Sequence, residues 1–72
     1  MNARQAWVWL NESANSLGVI TGNRQCFLIG SDQVECDVSD NAESTVTLSQ
    51  SEFMDEFGGC KFRAIETRDM AG

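Results

Sequence analysis

The chain has 72 residues, no histidine, no proline and a net charge of −6. That length holds one domain, which buries only about 60% of its unfolded surface and is marginally stable. An apolar content of 42% sets it apart from disordered chains, the missing histidine removes the commonest general base, and the acidic balance repels DNA, RNA and anionic lipid.

Positions 3–17 fit a helix. Ala3, Ala6, Trp7, Leu10, Ala14 and Leu17 recur at helical spacing and form one apolar stripe. Asn2 caps the start, with Gln5 completing a capping box, and Gly18 supplies the stop. Val8 and Trp9 fall off the stripe, so a short strand over residues 6–10 is the competing reading. The longer periodic match favours the helix. The apolar run at 6–10 is too short for a signal-peptide core or a bilayer span. The chain therefore reads as cytoplasmic, and the sequon Asn11-Glu12-Ser13 as a chance match.

From Gly18 the period changes to two. Val19-Ile20-Thr21 leads into Gly22-Asn23, a two-residue hairpin turn. Residues 25–29 are a compact apolar run, expected to form a central strand covered on both faces. Gly30-Ser31-Asp32 turns the chain. In residues 33–38, Val34, Cys36 and Val38 are expected to face the core, and Glu35 and Asp37 water. Matching apolar faces across a Ser31-Asp32 turn sets Phe27 opposite Cys36 and Ile29 opposite Val34. The alternative, Cys26 opposite Cys36, places Phe27 and Ile29 on the other face. The first register predicts no disulfide between Cys26 and Cys36.

Residues 39–44 are a polar turn cluster, and 45–48 a short β-branched strand. Ser49 opens a second helix with Glu52 as its capping-box partner, Phe53 and Phe57 as its apolar face, and Gly58-Gly59 as its stop. Residues 60–66 read as a closing strand, with Cys60, Phe62 and Ala64 on one face. The tail 67–72 reads as frayed. The expected fold is α+β: an N-terminal helix, a three- to four-stranded mainly antiparallel meander, a short second helix and a C-terminal strand, with both helices on one sheet face. Residues 1–72 form a single small acidic domain.

No pattern carries catalytic chemistry. Glu52 and Glu56, one helical turn apart beside Asp55, read as a solvated face rather than an acid–base pair. Asp37, Ser39, Asn41 and Glu43 alternate like half a calcium loop, but Ala42 and Leu48 stand where such a loop needs Gly and Glu. Residues 18–24 lack the spacing and ending of a phosphate loop. Cys26, Cys36 and Cys60 form no close ligand pair and read as free thiols in a reducing compartment. No cofactor and no metal are expected.

Charge distribution carries the functional expectation. The 36 residues between Arg24 and Lys61 contain no base and eight acids: Asp32, Glu35, Asp37, Asp40, Glu43, Glu52, Asp55 and Glu56. Glu35 and Asp37, two apart on a strand, stand roughly 6.6 Å from each other. Duplex DNA carries one charge per roughly 3.4 Å of each strand. The acids are thus expected to imitate a phosphate row and to dock on a basic surface of a nucleic-acid-binding protein. In general character the chain looks like the small acidic proteins with which phages and mobile elements block host enzymes, anti-CRISPR proteins among them. The likeness is one of type and transfers no residue. The alternative is a homo-oligomeric structural or adaptor module. Trp7 and Trp9 cannot share one narrow helical stripe, so one, taken as Trp9, is left to anchor a partner or a second copy in a homodimer.

Overall fold

The computed structural model describes residues 1–12, 17–38 and 44–65. Helix α1 spans Ala3–Glu12. The Gln5 N–H donates to Asn2 Oδ1, and the Asn2 N–H donates to Gln5 Oε1, both at 2.9 Å. This reciprocal cap satisfies two of the amides left over at a helix start. Ala3, Ala6, Trp7 and Leu10 are buried, so segment 6–10 is helix and not strand. The expected extension to residue 17 is not met, because Leu17 is outside the helix. Ala14, Asn15 and Ser16 lie outside the described residues.

Strands β1 (Val19–Thr21), β2 (Arg24–Gly30), β3 (Gln33–Asp37), β4 (Thr45–Leu48) and β5 (Arg63–Ala64) form one sheet in the order β4-β3-β2-β1-β5. Every pairing is antiparallel. Helix α2 (Gln50–Phe57) carries the chain from the β4 edge to the β5 edge. The fold is α+β. Strand β5 is shorter than the expected 60–66, since its pairing with β1 extends only over Ala64 and Arg63.

The β1–β2 turn falls at Gly22-Asn23, with Thr21 opposite Arg24 and Gly22 at φ +59°. The β2–β3 register differs from the preferred one. Cys26 lies opposite Cys36, Phe27 opposite Glu35 and Leu28 opposite Val34. The turn is at Ser31-Asp32, since Gly30 pairs with Gln33, but the register shifts between Leu28 and Gly30. An irregularity at Ile29 absorbs one extra residue, so a two-residue turn coexists with the rejected pairing.

That register builds the core. Val19, Cys26 and Cys36 line up in one row across the sheet, and Val34 and Leu48 in the next. All five are buried, and they join Ala3, Ala6, Trp7 and Leu10 of α1, Phe53 and Phe57 of α2, and Phe62 in one cluster. Both helices therefore cover the same sheet face. Each fully buried large side chain contributes roughly 1.5–3 kcal/mol. The Phe62 N–H donates to the Met1 carbonyl at 2.6 Å, and the Met1 amine donates to the Phe62 carbonyl at 2.7 Å. These bonds tie the chain start to the aromatic cluster.

Two further expectations fail for a related reason. β2 is not covered on both faces, because both helices lie on one side: Phe27, opposite Glu35 on the far face, is 40% exposed and Ile29, at the register shift, 49%, while Leu28, opposite Val34 on the helix side, is 40% exposed at the margin of the core. Val38 does not enter the core but is exposed. β3 ends at Asp37, and the Val38 N–H turns to the Ser44 carbonyl at 2.9 Å.

Candidate interaction surface

The eight central acids do not form one continuous row. Asp37, expected to face water, is buried. Its carboxylate accepts from the Gln25 N–H at 3.0 Å, and its carbonyl accepts from Arg24 Nε at 3.1 Å. The backbone N–H offsets part of the carboxylate's lost hydration, and the guanidinium satisfies the backbone carbonyl. Glu56 stays at the surface and pairs with Arg24 Nη2 at 3.0 Å. The same guanidinium lies 4.5 Å above the Phe57 ring. Glu52 closes the α2 capping box, accepting from the Ser49 N–H at 2.8 Å while Ser49 Oγ accepts from the Glu52 N–H. Glu35 is half-buried and accepts from Thr45 Oγ1 at 2.5 Å. Asp32, in the β2–β3 turn at φ 57°, and Asp55 on α2 are exposed. Asp40 and Glu43 lie outside the described residues, as do Ser39 and Asn41 of the calcium-like pattern.

The acids split between two layers. Glu35 shares a row with Phe27 and Thr47 on the sheet face away from the helices. Glu52, Asp55 and Glu56 belong to α2, which covers the opposite face. A single phosphate-like line running from strand to helix is therefore not assembled among the described residues. The structure brings a different set together: Phe27, exposed on the sheet face away from the helices with Glu35 across from it, Ile29 exposed at the register shift, and Asp32 in the adjoining turn. Exposed apolar side chains on an uncovered sheet face are a liability unless they bind something. Sequence reasoning had this run in view but assigned it to a doubly covered strand. Its one legible warning was that two helices on one side leave nothing for the other.

Trp9 is half-buried and packs against the core margin. With Met1, Arg4, Gln5, Val8 and Glu12 it lines a shallow groove of about 380 Å³ on the outer side of α1. Val8 is 45% exposed there.

Cys26 and Cys36 face each other across β2 and β3, both fully buried. Hydrogen bonding to Cys36, reinforced by burial, pushes the Cys26 thiol well above the ordinary thiol range. All three cysteines are free, and Cys60 is half-buried. Since the thiolate is the reactive form, Cys60 is expected to react first with an aromatic disulfide reagent in the folded protein. Cys26 and Cys36 should react only at the rate of unfolding. Denatured, unreduced protein should show all three thiols; a single thiol there would mean that the facing pair is bonded.

Among the described residues, no three Cys, Asp or Glu side chains gather closely enough to hold a metal ion. Nor is any described helix long and apolar enough to cross a membrane. The chain matches no protein-family model, no curated protein and no solved structure.

Proposed function

We propose that this chain is a small acidic, non-enzymatic binding protein that docks on a basic surface of a nucleic-acid-handling protein and inhibits it stoichiometrically. The observation that carries the reading is uncompensated charge. The interval from Gln25 to Cys60 has no base, and the neighbouring Arg24 is already engaged by Glu56 and the Asp37 carbonyl. Asp32, Glu35, Glu52 and Asp55 have no ion-pair partner among the described residues. Their field guides a basic surface toward the molecule, and the exposed β2 side chains Phe27 and Ile29 form the contact that holds it. Long-range attraction sets how fast partners meet, while apolar burial sets how long they stay. Three cysteines in a chain of this size fit a reducing compartment such as the cytoplasm.

The test is capture from a nuclease-treated cell extract, followed by competition with duplex DNA. The proposal predicts that captured proteins are nucleic-acid binders, that DNA displaces the chain from them, and that raised salt releases it. Retention of proteins that neither DNA nor salt can displace would contradict it.

A further inference from the structure

We infer that the outer face of α1 is a self-complementary contact for a second copy of this chain. This surface is separate from the β2–β3 hairpin, and the inference does not depend on the proposed basic partner. Gln5, Val8 and Glu12 are spaced three and four residues apart, a stripe on one side of α1, and Met1 lines the same groove from before the helix. Trp9 flanks the stripe, half-buried, and Val8 is 45% exposed near its middle. Arg4 stands toward one end and Glu12 at the other, eight residues or about 12 Å apart along the axis. Neither has an ion-pair partner among the described residues.

Two such helices laid antiparallel about a two-fold axis at Val8 bring Arg4 against the partner's Glu12, and Glu12 against the partner's Arg4. A two-fold contact requires this self-matching, in which residue i meets j and j meets i. Electrostatics selects the same face. Each chain carries a net charge of −6, so most approaches between copies are repulsive. On the α1 face the base and the acid cancel, and antiparallel pairing turns both ends attractive. Val8 and Trp9 then supply the apolar centre, where tryptophan is a favoured anchor.

A ten-residue helix is about 15 Å long. The contact is therefore smaller than the roughly 800 Å² per partner of a standard interface. So small a contact makes a weak, concentration-dependent dimer.

Sedimentation of wild-type protein, Arg4→Glu, Glu12→Arg and an equimolar mixture of the two variants tests the inference. Both positions are exposed, so the variants should keep the wild-type far-UV spectrum and melting behaviour. The wild type should dimerise with rising concentration. Each variant alone, with like charges at both ends of the contact, should remain monomeric over the same range. The mixture restores both opposite-charge pairs and should dimerise again. A wild-type chain that stays monomeric throughout, or dimers indifferent to both charge reversals, would overturn the inference.

Discussion

Phe53→Ala is expected to cost about 3–5 kcal/mol, the usual range for emptying a buried aromatic site. Phe53 is fully buried. Its ring centroid lies 5.5 Å from Trp7, 5.1 Å from Phe57 and 5.5 Å from Phe62. It therefore joins α1, α2 and the segment before β5, and no neighbour can move in without breaking another contact. A domain of this size has a total stability of roughly 4–11 kcal/mol. The loss should bring the urea midpoint close to zero or leave the chain unfolded. Phe53→Leu keeps most of the volume but loses the ring contacts, and should cost less than Phe53→Ala. Equal midpoints for the alanine variant and the wild type would show that the aromatic cluster is not the centre of the core.

Gly18→Ala is expected to be the second costly change, at about 2–5 kcal/mol. Two effects add: a backbone conformation open in practice to glycine alone, and steric overlap. Gly18 has φ +121°, and a Cβ there would stand 2.6 Å from the Cys26 carbonyl oxygen and 2.7 Å from the Phe27 ring. Relief would require moving β2 backbone at the centre of the sheet. The Gly18 carbonyl also accepts from the Ile65 N–H at 2.9 Å, so the displacement would disturb the edge beyond β1. Gly22 is the internal control. It too has a positive φ, +59°, but a Cβ there meets nothing within 4 Å. Gly22→Ala should cost only about 1–2 kcal/mol, the ordinary left-handed penalty. Denaturant midpoints for the pair check both effects, and equal losses would remove the steric part of the argument.

What could be read ahead of the coordinates was mostly local. Both helix starts were legible because a capping box needs only residues three apart: Asn2 with Gln5, and Ser49 with Glu52. The Gly22-Asn23 turn was legible because positive φ selects glycine. Phe53 and Phe57 declared their shared face by their spacing. The failures came from interactions that leave no local mark. The shift at Ile29 costs one residue, and a bulge in an apolar run looks like any other part of that run. Face matching then favoured the wrong register by assuming strict alternation. Asp37 read as a solvent-facing acid because the Gln25 N–H that its carboxylate accepts from, and the Arg24 side chain on its carbonyl, come from a different strand. Coverage of β2 depended on how many layers the chain could build, which no window of sequence records.

The candidate surface changed accordingly. Charge was visible in composition, but its division between α2 and the far face of the sheet was not. The apolar hairpin residues were visible as hydrophobic, but not as exposed. Under the proposed function, acid and apolar surface have separate tasks, and these separate in kinetics. Once a partner has been captured, the decisive measurement is its association and dissociation rates against ionic strength, for wild type, for Asp32→Asn/Glu35→Gln/Asp55→Asn, and for Ile29→Ala. The account predicts slower association with a flatter salt dependence for the neutralised variant, and faster dissociation with unchanged association for Ile29→Ala. Rates that match wild type at every salt concentration in both variants would contradict it.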